Sequence, residues 1–147
     1  MSRSKHPLLI AMLALSIGAA AGPAYGAPSD RASVFGTVGY RHRMALPADA
    51  VVTVSLQDTT LADAPARTVG ETTIETKGAQ VPIPFRIDYD PAGIDPSHVY
   101  SVRATITTDG GLLFTSTTPY PVLTRGAGNE AAMIVYMLLP AGPAKDK

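Results

Sequence analysis

The sequence predicts an all-β protein in which two antiparallel sheets pack face to face. Apolar side chains recur at every second position in several segments, which is the period of a half-buried strand. Clusters of Pro, Gly and Asp separate these segments at short intervals. The sequence also lacks the 3.6-residue period of an amphipathic helix. We therefore expect an antiparallel β-sandwich of about seven strands, of the immunoglobulin-like or transthyretin-like kind.

The first predicted strand, residues 33–41, places Val34, Val38 and Tyr40 on one face. Gly36 lies between them, and a glycine inside a strand indicates a bulge or a close approach of another backbone. The following segment from Leu46 contains Pro and Asp and predicts a turn.

The next two predicted strands differ in polarity. Residues 52–57 alternate strictly between apolar and polar side chains, which is typical of a half-buried strand. A loop over residues 58–67 follows. Residues 68–76 are more polar and are expected to lie at the edge of a sheet.

Residues 81–89 alternate most clearly, with apolar side chains from Val81 to Tyr89 on one face. Pro82 and Pro84 have no backbone N–H, so the first half of this strand is expected at an edge or in an irregular conformation. A turn-rich segment then leads to the next predicted strand, residues 100–106.

The last two predicted strands end the domain. The Asp-Gly-Gly turn at 109–111 predicts a hairpin between residues 100–106 and 112–117. A proline-containing crossover, 118–128, leads to the continuous apolar segment 131–138.

Tyr100 is a candidate for a structural tyrosine corner. It stands at the entry to a predicted strand, five residues after Asp95, so that its hydroxyl could bond the backbone of the preceding loop. The alternative is an ordinary core tyrosine, and the sequence leaves both interpretations open.

The first 26 residues have the order of a secretory signal peptide. Basic residues precede an apolar run from Leu8 to Ala21, and small residues surround the expected cleavage site between Gly26 and Ala27. The run is shorter than the roughly 20 residues that an uncleaved membrane anchor would need. We predict an exported product without direct membrane insertion after cleavage, with a sandwich domain over 33–139 and a flexible tail over 140–147.

Composition narrows the classes of function. The 147 residues carry 12 basic and 12 acidic side chains and no cysteine, so neither a disulfide nor a lipid-acceptor thiol is available. Without the basic residues of the leader, the net charge becomes about −2. A near-neutral domain with no platform of aromatic and basic residues does not indicate nucleic-acid binding.

The sequence predicts no catalytic residue. Outside the leader the histidines are His42 and His98, and no Gly-x-Ser-x-Gly motif accompanies them. We therefore expect a non-enzymatic protein. A hydrolase acting on envelope material stays as an alternative, with His42 and Asp58 as the residues to probe.

No metal or cofactor site is predicted either. Four residues superficially follow the spacing of a calcium loop: Asp88, Asp90, Gly93 and Asp95. Ala92 and Val99 occupy two positions at which that loop needs oxygen ligands. These aspartates are better explained as turn residues.

Arg41, His42 and Arg43 form a basic cluster just after the first predicted strand. The cluster is either an ordinary solvated loop or a patch that binds an acidic partner. We keep it as the candidate partner-binding patch, together with an exposed sheet edge that could accept an extra strand.

Eight short motifs follow one another in an order that is more specific than any of them alone. They are Gly36–Arg41 (GTVGYR), Ala45–Ala50 (ALPADA), Val52–Asp58 (VTVSLQD), Ala62–Pro65 (ADAP), Val81–Phe85 (VPIPF), Tyr100–Ala104 (YSVRA), Asp109–Thr115 (DGGLLFT) and Tyr120–Thr124 (YPVLT). Together they cover about residues 34–138. The ordered set resembles the YbaY-like bacterial lipoprotein family, which includes the type III secretion pilotin YscW.

The resemblance implies a small β-sandwich in the cell envelope of a Gram-negative bacterium. It implies no catalytic residues. Pilotin members of the family escort a secretin to the outer membrane. The lipoproteins of the family carry their lipid on a cysteine at the mature N-terminus. This sequence has Ala27 at that position, so the resemblance implies a soluble periplasmic relative.

Three hypotheses follow from the sequence. The first is a non-enzymatic periplasmic module that binds an envelope protein or assists envelope assembly, with a secretin pilotin-like chaperone as its variant. The second is the hydrolase, and the third is a stress-related structural protein without a specific ligand. The oligomeric state is not predicted.

Overall fold

The computed structural model describes residues 31–138. The predicted signal peptide and the predicted tail over 140–147 therefore lie outside the described residues. The described part of the chain contains nine strands and one 3-10 turn, Pro91–Gly93. The strands are β1 (Ala32–Gly39), β2 (Val51–Asp58), β3 (Arg67–Glu75), β4 (Ile83–Tyr89), β5 (Tyr100–Thr108), β6 (Gly111–Thr115), β7 (Tyr120–Val122), β8 (Glu130–Ile134) and β9 (Tyr136–Met137). Over residues 31–138, no helix has the length and apolar character that crossing a membrane requires.

The strands form two sheets. Sheet A has the order β4-β1-β8, and sheet B has the order β3-β2-β5-β6-β9. β7 pairs with the first part of β5, beside β6. All pairs are antiparallel except β1 with β8, which is parallel.

The core lies between the two sheets. It is built from the alternating apolar residues that the sequence singled out, which are now buried on the inner faces. They include Val34 and Val38 of β1, Val52, Val54 and Leu56 of β2, Ile83, Phe85 and Ile87 of β4, and Tyr100, Val102, Ala104 and Ile106 of β5. The all-β sandwich is confirmed. β3 lies at the edge of sheet B, as its polar composition predicted, and β4 lies at the edge of sheet A, as its prolines predicted.

Two features of the C-terminal part differ from the prediction. The expected crossover, 118–128, contains β7. The expected single strand, 131–138, divides at Val135 into β8 of sheet A and β9 of sheet B. The N–H of Val135 bonds the carbonyl of Gly39 at 2.8 Å, and Val135 is fully buried. Burial alternates through this crossing, with Ala131, Met133 and Val135 buried and Ala132, Tyr136 and Leu138 exposed. Because the exposed residues are also apolar, the sequence shows neither the alternation nor the break.

The parallel pairing of β1 with β8 depends on Gly36. A Cβ at this position would lie 1.8 Å from the carbonyl oxygen of Ala131 in β8. The close backbone approach predicted for Gly36 is therefore present, and it joins the first strand of the sandwich to its C-terminal part.

Candidate functional site

The candidate patch Arg41–Arg43 lies in the exposed loop that connects β1 to β2. The ring of Tyr40 stacks on Phe114 at 4.6 Å, and the His42 ring meets the edge of the same Phe114 at 5.8 Å. The Tyr40 hydroxyl donates to the Met44 carbonyl at 2.8 Å. Among the described residues, no carboxylate forms an ion pair with this loop. Its cations are accessible to a partner, and their role in binding stays a prediction.

Tyr100 makes the contact that a tyrosine corner requires. Its ring is buried, with 2% of its surface exposed, and its hydroxyl accepts a hydrogen bond from the backbone N–H of Asp95 at 2.9 Å. The bond ties the start of β5 to the preceding loop. How much it stabilises the fold stays a prediction.

Asp58 and His98 meet beside Tyr100, although they are 40 residues apart in the chain. Asp58 Oδ2 lies 2.7 Å from His98 Nδ1. Asp58 Oδ1 accepts from the hydroxyl and the backbone N–H of Thr60, at 2.5 and 3.0 Å. The Thr60 hydroxyl bond is the largest cause that lowers the pKa of Asp58 to about 2, since it favours the ionised carboxylate.

Asp95 completes this polar cluster. Its Oδ2 lies 3.8 Å from His98 Nε2, and its Oδ1 accepts from the hydroxyl and the backbone N–H of Ser97, at 2.6 and 2.8 Å. The bonds from Ser97 lower the pKa of Asp95. Thr124 adds a bond from its hydroxyl to the His98 carbonyl at 2.7 Å. We call this region the closed end of the sandwich; it consists of Asp58, Thr60, Asp95, Ser97, His98, Tyr100 and Thr124.

The closed end does not have the arrangement of a hydrolase. One nitrogen of the His98 ring faces Asp58 and the other faces Asp95, whereas a triad needs a nucleophile on one of them. The two residues named for the hydrolase alternative do not meet, because His42 contacts Phe114 and Asp58 pairs with His98. Within residues 31–138, no group of three or more His, Asp or Glu side chains is placed to hold a metal ion.

The aspartates with calcium-loop spacing serve other purposes. Asp90 accepts the N–H of Ala92 at 2.9 Å and caps the 3-10 turn. Asp88 lies 2.9 Å from Arg86 Nε and accepts from Ser33 at 2.6 Å. These contacts are the turn and surface chemistry of short polar side chains.

A cavity of about 460 Å³ opens on the outer face of sheet B. Its lining includes Gln57, Ser101, Arg103 and Thr115, and the segment 117–119. We call it the Arg103 groove. A smaller cavity of about 290 Å³ lies at the closed end, between His98, Arg67 and Leu61.

Sequence reasoning missed the Arg103 groove. The groove lies where β5 changes partners, from β7 over Tyr100–Val102 to β6 from Thr105 onward, and the connecting residues 116–119 line it. In the sequence, Arg103 is one more polar residue on the solvent side of an alternating strand. A signal was nevertheless present in the concentration of hydroxyl residues at 115–118.

Comparisons with known proteins agree with one another. The family described as "Type III secretion system lipoprotein chaperone (YscW)" matches residues 29–135. The chain is 35% identical over 130 residues to the uncharacterized lipoprotein YbaY of Escherichia coli K12, a match that covers 88% of this chain and 66% of that protein. The chain therefore spans about two thirds of the length of this curated relative.

A solved structure supports the same relationship. An alternative pilotin from the type II secretion system of Vibrio cholerae superposes with a TM-score of 0.73 at 44% sequence identity, over 75% of this chain and 99% of that one. The family description names a chaperone and not an enzyme. Because the family match spans most of the sandwich, the chain belongs to the YscW family of type III secretion system lipoprotein chaperones.

Proposed function

We propose that this protein is a non-enzymatic, periplasmic protein-binding module that assists envelope assembly in the manner of a pilotin. The observation that carries the proposal is its likeness to the Vibrio cholerae pilotin, which extends over 99% of that chain. At 44% identity, this likeness concerns sequence as well as fold. The proposed partner class is the secretin, the type of partner that the family resemblance implied.

The distribution of polar contacts supports a binding role over catalysis. Both ring nitrogens of His98 are directed at carboxylates, one at Asp58 and the other at Asp95. The cations of the β1–β2 loop, by contrast, are exposed and without an ion pair to any described residue. Exposed unpaired charges steer association with an oppositely charged partner.

The test is affinity capture from the periplasmic and outer-membrane fractions of the native cells, with the tagged full chain as bait. We expect the tagged chain in the periplasmic fraction, and a secretin enriched above an untagged control. Because surface charges are screened by salt, the enrichment should fall as ionic strength rises. Recovery of no secretin at any salt concentration would contradict the proposal.

A matched pair of variants tests the candidate patch. Arg41→Gln with Arg43→Gln removes two exposed cations from the β1–β2 loop, and we expect weaker capture of the secretin. Arg67→Gln with Arg125→Gln removes the same charge elsewhere on the surface and should leave capture unchanged. Equal loss in both double variants would mean that net charge, and not this patch, is recognised.

A further inference from the structure

The Arg103 groove has fixed walls. The N–H of Ser116 donates to the Ala104 carbonyl at 2.9 Å, and the N–H of Ala104 donates to Ser116 Oγ at 3.1 Å. These bonds pair the backbone N–H and carbonyl of Ala104, which lies between the part of β5 that pairs with β7 and the part that pairs with β6. An additional strand therefore has no free ladder groups to join at Ala104.

The lining of the groove offers hydrogen-bond donors and one positive charge. Arg103 is the charged residue of the lining, whose other polar groups are hydroxyls and the amide of Gln57. Across the described chain, no carboxylate lies within 4.0 Å of the Arg103 guanidinium. The register places Glu71 opposite Ser55 and Ser55 opposite Arg103. Glu71 is thus two strands, or about 10 Å, from Arg103 across the sheet.

Thr115 adds a second unsatisfied group. It lines the groove, and its buried Oγ1 has no hydrogen-bond partner among the described residues. Buried polar groups in folded proteins are almost always hydrogen-bonded. That oxygen is already shielded from solvent, so the accessible group without a partner is the Arg103 guanidinium, which favours a ligand that accepts hydrogen bonds.

The outer face of sheet B beside the groove is rich in hydroxyls. One cross-strand row runs over five strands of sheet B: Thr73, Thr53, Thr105, Thr115 and Tyr136. Tyr136, at the end of the row, is 45% exposed. A polypeptide segment that lies across this face would meet neutral hydrogen-bonding side chains on one side of Arg103.

We propose that the Arg103 groove binds an aspartate or glutamate side chain of a partner polypeptide that lies across the outer face of sheet B. A guanidinium matches a carboxylate with two parallel hydrogen bonds, and the exposed hydroxyls of Thr117 and Thr118 in the lining supply further donors. The inference rests on the proposed protein-binding function and names the chemistry of the partner segment. The volume of about 460 Å³ falls in the range of ordinary ligand sites and leaves room for residues beside the carboxylate.

Charge favours a carboxylate over a phosphate group. Phosphate sites commonly combine several cations or a series of free backbone N–H groups. The groove has one cation, and the N–H groups of Ala104 and Ser116 are already bonded. A single guanidinium with neutral donors is complementary to one negative charge.

The experiment is an NMR titration of the isotopically labelled full chain with defined probes. The first probe is an acetylated and amidated pentapeptide, Gly-Ser-Glu-Ser-Gly, and the second has Gln in place of Glu. We expect the Glu peptide to shift the Arg103 side-chain resonance and the amides of Ser101, Thr115 and Ser116. The Gln peptide should bind at least about tenfold more weakly, because it loses the charge-assisted bonds.

Variants separate the groove from general charge. Arg103→Gln should lower the affinity for the Glu peptide at least about tenfold, and Arg103→Lys should retain part of that affinity. Arg125→Gln should leave the affinity unchanged. A dispersed amide spectrum serves to show that each variant is folded. Equal shifts with both peptides, or binding that survives Arg103→Gln, would overturn the proposal.

Two further probes test other occupants. Tighter binding of inorganic phosphate than of the Glu peptide would overturn the assignment to a polypeptide carboxylate, as would tighter, Arg103-dependent binding of N-acetylglucosamine. The capture experiment remains independent of this titration. If a secretin is captured but the Glu peptide does not bind, the groove proposal alone is wrong. If the Glu peptide binds but no secretin is captured, the proposed function is wrong and the carboxylate site remains.

Discussion

Tyr100 and Arg103 lie three residues apart on β5, yet they belong to regions with opposite character. At the closed end, Tyr100, Asp58, His98 and Asp95 all have hydrogen-bond partners or ion pairs within the chain. In the Arg103 groove, the guanidinium has no carboxylate among the described residues, and the Thr115 hydroxyl has no partner among them.

The difference separates two uses of polar groups. The bonds of the closed end connect loops that are far apart in sequence, since Asp58 and His98 are separated by 40 positions. Their side chains are committed to holding those loops together. In the Arg103 groove, Ser116 bonds Ala104 and Ser101 bonds Thr59. The Arg103 guanidinium, by contrast, has no ion pair within residues 31–138 and is available to a partner.

Gly36→Ala should produce the largest loss, because it acts on the pairing of β1 with β8 in sheet A. The new methyl group would overlap the Ala131 carbonyl, which lies 1.8 Å from an ideal Cβ and belongs to backbone that cannot rotate away. We expect the free energy of unfolding to fall by about 3 kcal/mol or more. Urea unfolding followed by circular dichroism measures it.

Gly39→Ala is the matched control on the same strand. Its Cβ would meet the Ile134 side chain at 3.9 Å, which is an ordinary contact. We expect a change below about 1 kcal/mol. Similar stabilities of the two variants would mean that β1 and β8 do not approach each other as described.

Tyr100→Phe should have the next largest effect and acts on the closed end alone. The substitution keeps the buried ring and removes the acceptor of the Asp95 N–H. We expect a loss of about 1–3 kcal/mol, the cost of leaving a part-buried donor without its partner. Thermal unfolding of the variant measures the loss.

Tyr136→Phe provides the comparison, because that ring is 45% exposed on the outer face of sheet B. It should change stability by less than about 0.5 kcal/mol. If both tyrosine variants unfold like the original protein, the hydroxyl of Tyr100 does not secure the closed end.

Most of the sandwich could be predicted from local sequence, because alternation reports directly which side chains face the core. The predicted apolar face of β2, for example, is Val52, Val54 and Leu56, and each of them is fully buried. The close approach at Gly36 was also visible, since a glycine inside an alternating strand is itself a signal.

The missed features depend on contacts between distant parts of the chain. β7 has three residues, one of them Pro121, and is too short to display a period. The partner of Asp58 could not be read from the sequence, because nothing near Asp58 or His98 refers to a residue 40 positions away. The Arg103 groove arises from a change of strand partners along β5. The alternation of apolar and polar residues is the same whichever strand pairs with β5, so it does not indicate such a change.

Acid should weaken the closed end by a smaller amount, and Asp58 isolates its contribution. The pKa of Asp58 is about 2 in the folded chain, against 3.8 without these bonds. Because the folded pKa is the lower one, the ionised carboxylate stabilises the fold above about pH 3.8, and this stabilisation is lost as pH falls toward 2. Asp58 is 16% exposed but its partner His98 is 41% exposed, so solvent screening of the pair reduces the expected contribution to about 1 kcal/mol.

The measurement compares the original chain with Asp58→Asn by urea unfolding between about pH 7 and pH 2. The original chain should be the more stable by about 1 kcal/mol at neutral pH, and the difference should disappear near pH 2. Asp63→Asn removes an exposed carboxylate from the adjacent loop and should leave the pH dependence unchanged. A difference for Asp58→Asn that stays constant with pH would mean that the shape of the side chain, and not its charge, holds Thr60 and His98 in place.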